Sequence, residues 1–271
     1  MTYPAPTPQA DRHPDGQVTV ETRGATLLIG LDRAEKRNGL TPRMFEQLQA
    51  AYVRLDEDPD LRVGIVFGHG GHFTAGLDLP RIAALWDSGR GHLDKQLVDP
   101  YARWRRCRRP VIAAVAGITY TAGIELMLGA DMVIAADDCR FAQIEARRGI
   151  IPGGGAIQRF IERAGYGNAM KLLLATPEIG ADEALRMGLV QEVVPAGDEV
   201  GRALELAEMI GRNAPLAIEA ILRAGRVYQR NGEAAVIDWI EDKQREIRRS
   251  KDAAEGVASF KEKREPRFTG E

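Results

Sequence analysis

Beyond Pro195 the chain reads as four successive helices, over 198–213, 215–230, 233–249 and 252–265, with no strand signal between them. Before it, short apolar runs alternate with amphipathic segments. Residues 62–67, 111–116 and 132–136 are apolar enough to be buried strands, and the second is closed by Gly117. Such a division predicts an α/β core over 17–197 and a helical C-terminal subdomain over 198–271. At the start of the core, 17–22 and 25–31 read as paired strands turning at Arg23-Gly24. Thr41 then caps a helix with Pro42 in its first turn and Met44, Leu48, Ala51 and Leu55 on one face. Residues 121–129 form another helix. Residues 152–165 begin in glycines and continue as a helix with Ile157, Phe160, Ile161 and Ala164 on one side. Strand–strand–helix units recur in the first half, without a sharp internal repeat. Residues 1–16, with four prolines in polar surroundings, read as a flexible tail that lacks the apolar core of a signal peptide.

Several function classes are disfavoured at this level. The 37 Lys and Arg are balanced by 39 Asp and Glu, for a net charge of −2, so the basic excess of a dedicated nucleic-acid protein is missing. At 44% hydrophobic and 28% charged residues, the 271-residue chain can bury a substantial core and is too charged for a membrane bundle. No apolar run reaches the ~18 residues of a membrane span. Cys107 and Cys139 form neither a C-x-x-C nor a metal-ligand spacing, which places the protein in a reducing compartment, the cytoplasm. The three serines lie outside any G-x-S-x-G, and no glycine-rich phosphate cradle or Walker lysine is found. His69 and His72 flank a glycine-rich loop with no third ligand, and read as surface residues.

Two small-residue turns are candidate anion sites. Phe73-Thr74-Ala75-Gly76-Leu77-Asp78-Leu79 links a strand to a helix, and Gly117 with Thr121-Ala122-Gly123 leads from a buried strand into another. Unpaired N–H groups of two such turns, aimed at one point, would stabilise an oxyanion. Taken by spacing alone, each turn reads first as an ordinary strand-to-helix connection. Two carboxylates accompany them. Glu125 lies in the apolar run 122–128, and Glu145 follows the strand-like Phe141-Ala142-Gln143-Ile144. A glutamate in such surroundings is paired or functional. The pairing alternative is a salt bridge, for example with Arg147 or Arg148.

In order and spacing these motifs resemble the crotonase family, the enoyl-CoA hydratase/isomerase superfamily, over residues 17–268. The resemblance rests on Leu31-Asp32-Arg33 with Lys36-Arg37-Asn38-Gly39-Leu40, on 73–79, on Arg109-Pro110 through Gly117, and on Gly123-Ile124-Glu125-Leu126 with Asp131. It continues through Phe141–Glu145 with Gly149-Ile150-Ile151-Pro152-Gly153, Ala184 with Gly188-Leu189-Val190, and Phe260 with Lys263-Arg264. It implies a fold of repeated ββα turns whose C-terminal helices build a trimer or a dimer of trimers. It also implies a CoA thioester whose carbonyl oxygen sits between the backbone N–H groups of Leu77 and Ala122. Relatives often carry glycines at 121–123, and the Cβ of Ala122 narrows its backbone angles.

Glu125 and Glu145 match both glutamates of true hydratases. The reaction implied is syn addition of water to a trans-2-enoyl-CoA, with Glu125 orienting and activating the water and protonated Glu145 supplying a proton to C2. Burial and mutual repulsion would keep one of the pair protonated. A dienoyl isomerase would carry an acid at Gly153. No metal or redox cofactor is implied, and CoA enters as part of the substrate. For CoA, the resemblance implies contacts from Lys36 and Arg37, from Ala75, Gly76 and Leu77, from Gly153, and from Phe260 and Lys263 of this or a neighbouring subunit. The alternatives are a solvated loop at 36–37 and a core contact for Phe260. Asp78 reads as a structural acid at a helix start. The pocket wall is expected from a helical stretch over 81–97, with Leu77 and Trp86 narrowing it.

Rival functions on this scaffold are an enoyl-CoA isomerase or another enolate-forming acyl-CoA enzyme. From a different class, the basic run Arg103-Trp104-Arg105-Arg106-Cys107-Arg108-Arg109 suggests a non-catalytic RNA- or partner-binding member. The charge balance favours reading that run as the solvated face of a helix before the 111–116 strand, turned to a subunit interface.

Overall fold

The computed structural model describes residues 3–89 and 91–271. Residues 1–2 of the expected tail and Arg90 of the expected 81–97 helix lie outside them. β1 (Gln17–Arg23) and β2 (Thr26–Asp32) pair antiparallel through a turn at Gly24-Ala25, one residue later than the sequence suggests. α1 (Pro42–Glu57) follows, its N-terminus capped by Thr41 Oγ1, which accepts from Met44 N at 3.2 Å. Met44, Phe45, Leu48, Tyr52 and Leu55 bury its apolar face. β3 (Val63–Gly68) leads to α2 (Leu79–Asp87). The helix expected over 81–97 therefore ends at Asp87, ahead of Ser88-Gly89.

Two further ββα units come next. β4 (Val111–Val115), β5 (Ile118–Tyr120) and α3 (Ala122–Gly129) make one. β6 (Met132–Ala136), β7 (Arg140–Ala142) and α4 (Ala156–Ala164) make the other. The first strand of each enters a six-stranded sheet of order β1-β2-β3-β4-β6-β9, parallel except for β1. β5 and β7 leave it for a small second sheet with β8 (Ile179–Gly180). Between β8 and β9 (Glu192–Val194) lies α6 (Ala181–Arg186), and α5 (Tyr166–Met170) precedes β8.

Side chains alternate across the large sheet. Leu27, Ile29, Leu31, Val66, Ala113, Val115 and Val133 share a core with α1 and α3. Leu28, Ile65, Phe67, Ile112 and Ile134 pack on Val200, Ala203, Leu204 and Ala207 of α7 (Glu199–Gly211). α7 thus covers the sheet's second face. The remaining helices stand differently. α8 (Pro215–Ile247) is interrupted by non-helical Gly232, where the sequence breaks between two helices, and buries only Ala220. α9 (Lys251–Glu262) buries Asp252 and Ser259. Among the described residues, no helix is long and apolar enough to cross a membrane.

Three local expectations are corrected. On α4 the buried residues are Ala156, Arg159 and Phe160, while Ile157 and Ile161 face outward. Arg159 is buried because it donates to the carbonyls of Tyr101 and Gly154. His69 is also buried, with Nε2 2.8 Å from Thr19 Oγ1, and His72 Nδ1 accepts from Ile118 N at 3.2 Å. Residues 103–109 are irregular rather than helical, and their guanidiniums have internal partners. Arg103 pairs with Asp99, Arg105 and Arg108 with Asp56, and Arg109 with Glu219, while Arg106 reaches Ala102 O and Gln229.

Candidate active site

The loops leaving the C-terminal ends of β2, β3 and β4 meet at one edge of the sheet, the place where open α/β sheets bind ligands. They are tied by backbone bonds. Ala75 N donates to Arg37 O (2.9 Å), Leu40 N to Gly76 O (2.8 Å) and Asp78 N to Leu40 O (2.9 Å). Tyr120 N donates to Thr74 O (3.0 Å), and Thr74 N to Ile118 O (3.2 Å). The bonds of residues 76 and 78 to Leu40 turn the intervening Leu77 N–H the other way, and no acceptor meets it among the described residues. Ala122 N–H, first in α3, has no intrahelical partner. Gly76 brings the two turns together: with φ +98°, a methyl group there would collide with Thr121 Oγ1. Across the same seam, a methyl on Gly123 would meet Thr74 Cγ2 at 2.7 Å.

Ala122 occupies an ordinary helical position. The strained residue is its neighbour Thr121, a β-branched residue at φ +50°, ψ −116°.

A cavity of about 400 Å³ opens beside these amides. Ala75, Leu77, Ala122, Glu125, Glu145 and Gly153 all line it, so six of the sequence candidates converge. Trp86 and Leu79 also line it, and Ile144, Ile150 and Ile151 add apolar surface. His92 comes from the 81–97 stretch expected at the wall, while Tyr101, Arg103 and Arg148 also contribute and had not been expected there. Nothing in local periodicity marks these last three, because Tyr101 and Arg103 arrive from an irregular segment and Arg148 from a single 3₁₀ turn.

The acids stand in unlike surroundings. Glu125 projects from the first turn of α3, and its Oε1 accepts from Gly154 N at 2.6 Å and Ala156 N at 3.2 Å. Burial pushes its carboxyl above the ordinary range; the N–H groups of Ala156 and Gly154 and the charges of Arg103 and Arg159 oppose that rise. Glu145 starts a single 3₁₀ turn after β7. Its Oε1 accepts from Gln143 Nε2 at 2.7 Å, and its Oε2 is buried with no partner among the described residues. Burial, reinforced by the charge of Glu125, raises this carboxyl to about 7, against its own backbone N–H and Gln143. Neither acid is in an ion pair with Arg147 or Arg148 among the described residues; Arg147 donates instead to Thr176 Oγ1 and O.

The remaining candidates lie outside the cavity. Gly76 is the hinge of the Leu77 turn. Asp78 turns away to Arg33 Nη1 at 2.7 Å and to Arg81, and its side chain does not cap α2. Lys36 and Arg37 are exposed, Arg37 meeting the Ala75 loop through its carbonyl. Phe260 and Lys263 sit at the exposed end of α9; at 85% exposure Phe260 is not a core contact.

A site of two inward amides and two buried acids can polarise a carbonyl and move protons beside it. Comparison with known proteins agrees in kind. A family model described as enoyl-CoA hydratase/isomerase matches residues 21–271. The chain is 37% identical to enoyl-CoA hydratase EchA19 of Mycobacterium tuberculosis, across 92% of this chain and 95% of that one. It is 32% identical to 2,3-dehydroadipyl-CoA hydratase of Escherichia coli, across 94% and 99%. Among solved structures, a probable enoyl-CoA hydratase/isomerase from Mycobacterium abscessus superposes with TM-score 0.90 at 40% identity, covering 94% of this chain and 98% of that one.

Proposed function

The chain belongs to the enoyl-CoA hydratase/isomerase family and has its α/β crotonase fold, and we propose that it catalyses the reversible syn addition of water to a trans-2-enoyl-CoA. The product is a 3-hydroxyacyl-CoA. The thioester oxygen accepts hydrogen bonds from the N–H groups of Leu77 and Ala122, whose dipoles are oriented before charge develops. Glu125 takes a proton from a water whose oxygen bonds to C3. The electrons of the double bond move into the thioester as an enolate held by the two amides. Protonated Glu145 then delivers its proton to C2, and a proton passed from Glu125 to Glu145 restores the pair.

The observation that carries this reading is the asymmetry of the carboxyls facing one cavity. Glu125 has two backbone donors that favour its ionised form. Glu145 has an unpartnered buried oxygen and a carboxyl raised to about 7, which suits an acid at neutral pH. CoA would enter as part of the substrate, past the exposed Lys36 and Arg37, with the cytoplasm as the working compartment. Trimers or dimers of trimers would cover α8 and α9, which expose Ile221, Tyr228, Val257 and Phe260; in such an assembly a neighbour's Phe260 and Lys263 would reach the adenine. A light-scattering mass of a single chain would remove that assembly.

The reaction is tested with crotonyl-CoA, by following loss of the conjugated thioester absorbance. Hydration is the expected result. Isomerisation of a 3-enoyl-CoA with no hydration would overturn it in favour of an isomerase.

A further inference from the structure

Arg103 lies in the basic run that the sequence assigns to a solvated surface, yet its side chain is only 15% exposed. Its Nε donates to Asp99 Oδ2 at 2.9 Å, and the Asp99 carboxylate, itself fully buried, also accepts from the backbone N–H of Arg103 at 3.0 Å. The guanidinium stacks on Trp104, 3.9 Å from the ring centroid, and on Tyr101 at 4.9 Å. A second donor is directed at the cavity wall: Nη1 donates to Gly153 O at 2.9 Å.

That carbonyl belongs to the peptide group whose other end is Gly154 N–H, the 2.6 Å donor to Glu125 Oε1. A hydrogen bond to a peptide oxygen polarises the group and strengthens donation from its N–H. We propose that Arg103 is a positioning residue of the hydration reaction, acting through the Gly153–Gly154 peptide to keep Glu125 aimed and ionised as the base. This rests on the role given to Glu125 above. Arg159 does not duplicate it. Arg159 Nη1 donates to Gly154 O at 3.1 Å, which is the carbonyl of the following peptide.

The other titratable and charged groups facing Glu125 come from three elements. Glu145, from the turn after β7, shares the cavity. Arg159, on α4, stays cationic, its guanidinium lowered by burial only to about 10. Tyr101, beside Arg103, is held neutral by burial. His92 and Arg148 line the same cavity; burial lowers the His92 imidazole to about 4, so it is uncharged at neutral pH. Among the described residues, Arg103 is thus the one cation that meets Glu125 through a shared peptide.

The test compares pH–rate profiles of the full-length protein with those of Arg103→Gln and Arg103→Lys. In Arg103→Gln, the acidic limb of kcat moves to higher pH and kcat below neutrality falls about tenfold, the worth of a weakened charge-assisted hydrogen bond. KM for the enoyl-CoA changes little. Arg103→Lys recovers part of the loss, and Arg103→Gln adds nothing in a Glu125→Gln background. An equal loss at every pH would overturn the proposal in favour of simple loop support, and an unchanged profile would overturn it outright. A protein without hydratase activity would sink the reaction reading instead. For that case, the carboxyl ¹³C titration of Glu125, assigned by its absence in Glu125→Gln, reads the same contact: it must move up in Arg103→Gln, and a fixed titration overturns the proposal.

Discussion

Gln143 Nε2 donates to Glu145 Oε1 at 2.7 Å, while Oε2 of the same carboxyl is buried with no partner among the described residues. One oxygen is held by the protein and the other is left for a proton or a water. Glu145→Gln keeps the volume and the acceptor for Gln143 but has no proton to give. Its hydration rate is expected to fall about 10²–10⁴-fold, and that of Glu125→Gln by a similar factor, as for other lost acid–base groups. Affinity for a saturated acyl-CoA, measured by calorimetry, stays near wild type. A variant retaining full rate would remove its carboxyl from the mechanism.

The rate and the stability depend on pH through the same group. An acid at C2 must carry its proton, so hydration slows as pH rises through about 7. The folded-state value lies above the ordinary 4.5, so the native protein retains a proton that the unfolded chain releases. The stability present below 4.5 is lost as pH rises toward 7. Thermal melts are expected to show wild type falling between pH 5 and pH 8 by about 2–4 °C more than Glu145→Gln. Parallel pH dependence of the two proteins would contradict the assignment.

Neighbouring glycines give a contrasted pair. A Cβ on Gly154 would stand 2.6 Å from Glu125 Oε2 and 2.8 Å from its Cδ, whereas one on Gly153 meets nothing within 4 Å. Gly154→Ala is therefore expected to displace the carboxylate and cost about 10²-fold in kcat, the scale of a misplaced catalytic group. Gly153→Ala keeps kcat within about twofold, and any cost of its methyl in the cavity falls on KM. A comparable kcat for the two variants would refute the placement of Glu125.

The seam between the turns can be probed by stability. Thr121 at φ +50° holds a conformation worth about 1–3 kcal/mol of strain for a non-glycine residue, so Thr121→Gly should stabilise the fold in urea titrations. Gly76→Ala destabilises twice over, by its φ of +98° and by collision with Thr121 Oγ1. In the double variant only the first cost remains, so its stability exceeds the sum of the single effects. Simple additivity would mean that the two side chains do not meet.

Much of this was legible in the primary structure. Thr41 with Pro42 announced α1, the run 132–136 matched β6 residue for residue, and the order of motifs brought Leu77, Ala122, Glu125 and Glu145 to one cavity. The buried face of α4 was misjudged because Arg159, polar by composition, is sealed inside by the carbonyls of Tyr101 and Gly154.

Local periodicity and turn chemistry record which residues leave water and where the chain reverses, and both act over a few positions. They marked β1, β2, β3, β4, β6, α1, α3 and α4 but not the short β5, β8 and β9, and Glu125 and Glu145 were singled out by the order of motifs that resembles the family. The partner of a charged side chain is chosen over long separations: Arg103 meets Gly153 and Arg105 meets Asp56, each about 50 positions away. No short-range pattern separates a guanidinium in water from one closed on a carbonyl. Only the packed chain decided that Arg103 closes on the Gly153 carbonyl, that Glu145 keeps an oxygen with no partner among the described residues, and that Phe260 is exposed.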